Sequence, residues 1–117
     1  TEGGGEMIEQ TIIEYLNSAL DYDVHSEVPA NPPLRFVVVE KTGSSRSNRI
    51  DTATIAIQSY AESMYEAAYL NELVKDAMDE MVELSGVSSA RLQSDYNYTD
   101  TSTKRYRDQA VYAVTYY

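Results

Sequence analysis

The sequence predicts an α+β domain, with an antiparallel or mixed sheet of about four strands packed against two helices in the order α-β-β-α-β-β. Three observations predict it. Two segments carry apolar residues at helical spacing, and four carry β-branched and aromatic residues in alternation. The strand-like segments also come in adjacent pairs, which favours a segregated α+β arrangement over strict strand–helix–strand alternation. A chain of 117 residues is sized for one domain, residues 7–117. It buries roughly two-thirds of its unfolded surface, enough for one core without metal or disulfides.

Residues 1–6, TEGGGE, have neither the basic nor the apolar region of a signal peptide and read as a cloning remnant ahead of Met7. In residues 7–20, MIEQTIIEYLNSAL, Ile8, Ile12, Tyr15, Leu16 and Ala19 recur at spacings of three and four, the stripe of an amphipathic helix. Residues 21–33 lose that periodicity. Pro29, Pro32 and Pro33 remove backbone donors and restrict their predecessors, so this segment is expected to be an extended connector.

LRFVVVEK then reads as a strand, with Leu34, Phe36 and Val38 on one face and Arg35, Val37 and Val39 on the other. Both faces are largely apolar, so the strand is expected to be central and covered on at least part of each side. EKTGSSRSNR, residues 40–49, reads as a Gly/Ser loop, and IDTATIAIQSY as a second strand whose Ala53, Ile55 and Ile57 face inward. An antiparallel hairpin is the simplest connection.

The second helix is capped by Ser63 with Glu66, or by Ser59 with Glu62. Met64, Ala67, Leu70, Val74, Met78, Met81 and Val82 gather on its apolar face, Glu72, Asp76, Asp79 and Glu83 lie opposite, and Gly86 is the expected C-terminal cap. In the third strand, ARLQSDYNY, alternation puts Leu92, Tyr96 and Tyr98 on one face. In the fourth, YRDQAVYAVTYY, it puts Tyr106, Ala110, Tyr112, Val114 and Tyr116 together.

Composition excludes several functions. A net charge of −10 opposes specific nucleic-acid binding, which draws its affinity from Lys and Arg neutralising phosphates. Without cysteine there is no thiolate nucleophile, disulfide or Cys-based zinc site. No apolar run approaches the roughly 20 residues that span a bilayer, so no membrane partner is expected.

A catalytic, metal or cofactor site is not expected either. Gly43 is followed by SSRSN and another strand rather than by a helix, so the loop lacks the amides and dipole of a phosphate cradle. His25 is the one histidine, in a proline-rich segment without a serine elbow, and reads as an exposed loop residue. Asp76, Asp79, Glu80 and Glu83 have the spacing of a solvated helix face, with no accompanying metal loop.

Two features point to protein contacts. Residues 62–84 carry seven carboxylates against Lys75, whereas residues 35–49 carry Arg35, Lys41, Arg46 and Arg49 against Glu40. An acidic helix and a basic loop are complementary surfaces for neighbouring copies, or else two solvated surfaces. The chain also holds eleven tyrosines and no tryptophan. Strand propensity accounts for most of the tyrosines. It does not account for Tyr65 and Tyr69, four apart on the second helix beside its acidic face. Tyrosine offers a large ring at low entropy cost and a hydroxyl for a partner. Lys41, Arg46, Arg49, Tyr65 and Tyr69 are therefore the candidate interface residues.

The stretch PPLRFVVVEKTGSSRSNRIDTATIAIQSYAESMYEAAYLNELVKDAM, with the strand pair after it and the helix before it, resembles the small tail-terminator (tail-completion) proteins of long-tailed bacteriophages. The likeness lies in the order of features: a proline-led FVVVE strand, a Gly/Ser/Arg loop, the IDTATIAIQSYA strand, a helix with EAAYLNELV, and a terminal strand pair.

That resemblance implies a non-enzymatic virion protein that needs no cofactor. It would form a homo-oligomeric ring, typically six-fold, at the head-proximal end of the tail tube. Its partners would be the tail-tube protein and a head connector. Its place would be the virion neck, after assembly in the host cytoplasm. The basic loop would act as a flexible arm to an adjacent subunit or to the tube. The alternatives are another neck component, such as a head-completion or adaptor protein, and a small ligand-binding domain using a tyrosine-lined sheet.

Overall fold

The computed structural model describes residues 4–31, 33–47, 50–81, 87–97 and 106–116. Its elements are α1 (Gly4–Ala19), β1 (Asp23–His25), β2 (Phe36–Ser47), β3 (Ile50–Ala61), α2 (Met64–Asp79), β4 (Val87–Asn97) and β5 (Tyr106–Tyr116). The architecture is α+β, as expected, but the sheet has five strands in the order β1-β2-β3-β5-β4. It is mixed: β1 pairs parallel to β2, and the other neighbours are antiparallel.

Both helices lie on one face of the sheet. Ile8, Ile12, Ile13 and Leu16 of α1 and Leu70, Val74 and Met78 of α2 bury against Val37, Val39, Ile55, Ile57, Ala110, Tyr112 and Val114. Period-two alternation fixes which residues of β3 and β5 take part. Ala53, Ile55 and Ile57 are fully buried, as are Ala110 and Val114. The opposite face has a smaller cluster of Phe36, Val38 and Tyr60. β2 is therefore apolar on both faces for a structural reason, and its residues 36–39 are all buried.

Four expectations need correction. The first concerns the connector, which contains β1. Asp23, Val24 and His25 pair with Phe36, Val37 and Val38. The outer side of this short strand is held by a helix side chain: Asn17 Nδ2 donates to Val24 O at 3.3 Å, and Val24 N–H donates to Asn17 Oδ1 at 3.2 Å. The amide of Asn17 stands in for a neighbouring strand, one way of covering an open edge.

The second correction concerns residues 40–47, which continue β2. Their register with β3 shifts at Lys41/Gly43 and then runs from Gly43↔Thr54 to Ser47↔Ile50. The extra residue, Thr42, is a β-bulge. A Cβ at Gly43 would meet nothing within 4 Å, so crowding does not demand glycine there. Where β1 ends, α1 again serves the free edge, because Lys41 N–H donates to Glu9 Oε2 at 2.8 Å.

The third correction concerns the helices. α1 starts at Gly4, ahead of Met7, and α2 ends at Asp79. Of the two proposed caps, Ser63 is the real one: its extended backbone precedes the helix, and its Oγ accepts from Glu66 N–H at 3.2 Å. Ser59 is instead buried inside β3. Ser63→Ala should cost about 1 kcal/mol and Ser63→Gly only a few tenths, read as shifts in the urea midpoint at constant slope. Met64 is exposed rather than part of the buried face, which comprises Ala67, Leu70, Asn71, Val74 and Met78. The expected cap at Gly86, with Val82 and Glu83, lies outside the described residues.

The fourth correction concerns β4. Its register against β5 shifts between Leu92 and Ser94, so Leu92 pairs with Tyr112, whereas Tyr96 pairs with Gln109. The bulge at Gln93 puts Leu92 and Tyr96 on opposite faces, and it turns Asp95, paired with Ala110, toward the helices. Tyr98 lies outside the described residues.

Candidate protein interface

The N-terminal end of α2 is anchored by an ion-pair clasp that sequence reasoning did not find. Arg35, just ahead of β2, donates to Glu62 through Nε at 3.0 Å and Nη2 at 2.8 Å, and its Nη1 lies 3.4 Å from Glu66. The fork of the guanidinium matches the carboxylate. Hydrogen bonding to Arg35 is the main reason that the Glu62 carboxyl is held down at about 2. The clasp ties the start of β2 to the start of α2. No periodicity signals it, because the partners are 27 residues apart in sequence.

Next to these residues in the chain, several large apolar and aromatic side chains stand exposed. Tyr65 is 75 % exposed, Tyr69 49 %, Met64 57 % and Leu34, next to Arg35, 76 %. Leu34 was expected to face inward on β2. It falls just outside the strand, and its side chain stands in solvent. Tyr65 and Tyr69 are one helical turn apart and lie on the same side of α2.

The basic arm is more ordered than a loop. Arg46 and Asp51 are directly paired across β2 and β3, and Arg46 Nε and Nη2 donate to the two Asp51 oxygens at 2.5 Å and 3.0 Å. The hydrogen bond from Arg46 lowers the Asp51 pKa. Lys41 is half-buried beside α1. Arg49 lies outside the described residues. The structure thus places Tyr65 and Tyr69 together on α2 and puts Lys41 and Arg46 along β2, a separate element.

The helix-free face of the sheet carries a polar ladder. Arg107 Nη1 donates to Tyr60 OH at 2.7 Å, and Tyr60 OH donates to Gln58 Oε1 at 3.3 Å. Gln58 Nε2 then donates to Gln109 Oε1 at 3.0 Å, and Gln109 Nε2 to Tyr96 OH at 2.6 Å. Phe36 stacks on Tyr60 with centroids 4.6 Å apart, and His25 meets Phe36 edge-on at 6.4 Å. His25 is therefore a half-buried strand residue rather than an exposed loop residue. The strand tyrosines are divided between faces: Tyr60 and Tyr96 lie on this one, whereas Tyr112 and Tyr116 lie under the helices.

Among the described residues, no group of three His, Asp or Glu side chains is placed to hold a metal. No described helix is long and apolar enough to cross a membrane. No protein-family model matches the chain, and no curated protein matches it in sequence.

Proposed function

We propose that this chain is a non-enzymatic virion assembly subunit of the tail-terminator type. Copies join head to tail in a ring, six-fold in this reading, which closes the head-proximal end of the tail tube and receives the head connector. The observation that carries the reading is the group of large side chains in solvent at the N-terminal end of α2: Leu34, Met64, Tyr65 and Tyr69. Exposed apolar residues gathered at one site mark an interaction surface, and tyrosine with methionine is the composition of an interface centre.

In a ring, each subunit offers one patch to a different patch on the next copy. The Arg35 clasp holds the α2 patch rigid, so little order has to be gained on contact. The β2–β3 ribbon, with Lys41 and Arg46, is the complementary arm. It is a paired ribbon rather than a flexible finger, which also lowers the entropic cost of docking. The charge of −10 suits a ring that lets DNA pass without gripping it.

Size-exclusion chromatography with light scattering, with and without tail-tube protein, tests this. Wild type should give a ring-sized species alone or on the tube. Tyr65→Ser with Tyr69→Ser should weaken assembly at least about tenfold and leave the thermal midpoint nearly unchanged, because exposed positions contribute little to stability. A wild-type chain that neither oligomerises nor binds tubes overturns the reading.

A further inference from the structure

The β2–β3 ribbon ends in an apolar residue that the core does not use. Ile50 opens β3 and pairs with Ser47 on the outermost described rung. It is 40 % exposed and belongs to neither buried cluster. Among the described residues of the ribbon, it is the one large hydrophobic side chain in solvent.

Its position gives that exposure a meaning. β3 runs from Ile50 to Ala61, about 36 Å at ~3.3 Å per residue, in a molecule 44 Å long. The α2 tyrosines lie at the far end, because Arg35 clasps Glu62 directly after Ala61 and α2 begins at Met64. Tyr69 is only about 8 Å along α2 from Met64 at ~1.5 Å per residue. Neither tyrosine can therefore meet the Ile50 of its own chain.

The two ends also differ in charge. Residues 41–51 carry Lys41, Arg46 and Arg49 against Asp51, whereas residues 62–72 carry Glu62, Glu66 and Glu72 with no Lys or Arg. Those three glutamates stand three residues from Tyr65 or Tyr69 and so border the pair on the helix. The overall charge of −10 is screened beyond a Debye length of about 8 Å in physiological salt, and opposite charges in contact act within it.

We propose that the tip of the β2–β3 ribbon of one copy docks on α2 of the next, with Ile50 seated between Tyr65 and Tyr69. This rests on the ring reading and names its contact. The aromatic rings cover the isoleucine, and the cations of the arm lie toward the glutamates that border the pair. Matching surfaces at opposite ends of one molecule meet only between copies, head to tail, which is the heterologous contact a ring requires.

The chain has no cysteine, so introduced thiols report this contact alone. Ser45→Cys on the ribbon and Ala68→Cys beside the tyrosines are at exposed positions and leave Ile50, Tyr65 and Tyr69 in place. Each variant should keep the wild-type thermal midpoint. The two are mixed in equal amounts, one carrying a mass tag, and treated with a short bismaleimide. The mixed dimer should exceed the two homodimers together about tenfold. Random collision would make the two amounts equal. Adding Ile50→Asp to the Ser45→Cys copy, or Tyr65→Ser with Tyr69→Ser to the Ala68→Cys copy, should return the yield to the random share.

Equal amounts from the unaltered pair overturn the proposal, as does trapping that survives Ile50→Asp. A dominant Ala68→Cys homodimer would assign the tyrosines to a like-to-like contact and overturn it too. Rings of wild type on tail tubes, together with random trapping, would remove this contact and leave the ring. Efficient trapping in a chain that neither forms rings nor binds tubes would keep the contact and remove the ring.

Discussion

Tyr112→Ala is expected to cost about 3–5 kcal/mol, the range for truncating a large aromatic in a packed core, while Tyr112→Phe should cost nothing. Tyr112 is 1 % exposed, paired with Ile55 and Leu92 across the sheet, and packed in the core with α1 and α2. Its ring contributes packing, but its hydroxyl is buried without a hydrogen-bond partner among the described residues. Removing such a hydroxyl with retention of the ring leaves no cavity and relieves a desolvated polar group. Urea denaturation at pH 7 decides this. A loss above about 1 kcal/mol for Tyr112→Phe would mean that the hydroxyl is satisfied in solution.

The same residue gives a pH signature. Burial, reinforced by the carboxylate of Asp79, pushes the Tyr112 phenol up to about 12 from its ordinary 10. The folded state therefore holds this proton more tightly than the unfolded chain. The corresponding stability is complete below pH about 10 and is lost as pH rises from about 10 to 12, where the unfolded chain ionises first. At about 1.4 kcal/mol per unit, wild type should lose on the order of 2–3 kcal/mol more than Tyr112→Phe across that window. Parallel stability curves for the two proteins would rule out the burial assigned to the phenol.

What the sequence disclosed and what it concealed follow one physical division. α2, β3 and β5 were legible because one face of each carries most of its buried apolar residues, so helical or period-two spacing survives in the sequence. That spacing correctly places Leu70, Val74 and Met78, Ala53, Ile55 and Ile57, and Ala110, Tyr112 and Val114. β1 was hidden because its support comes from elsewhere, from β2 and from the amide of Asn17. Residues 40–47 look like a loop because Gly and Ser have low strand propensity. Pairing with Ile50–Thr54 overrides that preference, helped by the Arg46–Asp51 pair.

The candidate interface was half legible for the same reason. Tyr65 and Tyr69 are conspicuous on an acidic helix, and the structure leaves them exposed. Leu34 reads as a strand residue until the clasp of Arg35 on Glu62 and Glu66 is known. Asn71 and Asp95 gave no sign in the sequence, since their roles depend on a bulge that spacing does not reveal.

That bulge leads to the second large effect: Asp95→Ala should cost about 2 kcal/mol and loosen β4 from the rest of the sheet. Asp95 accepts from Asn71 Nδ2 at 2.7 Å and from Lys75 Nζ at 2.6 Å, joining the β4 edge strand to the middle of α2. Two residues further along β4, Asn97 Nδ2 donates to Asp108 Oδ1 at 3.0 Å. Losing the carboxylate strands the amide of Asn71, a buried residue whose Oδ1 has no partner among the described residues.

Charged hydrogen bonds of this kind contribute about 1.5–3 kcal/mol each when buried. Here Lys75 is one-fifth and Asp95 about one-third exposed, so solvent replaces part of the loss. A fall in Tm of roughly 6–12 °C should result for a chain of this size. Amide exchange should quicken in β4 well before β3. Asp95→Asn keeps an acceptor for Asn71 but offers Lys75 nothing, so it should fall between wild type and Asp95→Ala. Deleting Gln93 should cost less than Asp95→Ala, because the flanking residues then pair in simple alternation and Asp95 stays opposite Ala110, facing α2. A Gln93 deletion that costs as much as Asp95→Ala would overturn the register that places Asp95 beneath the helix.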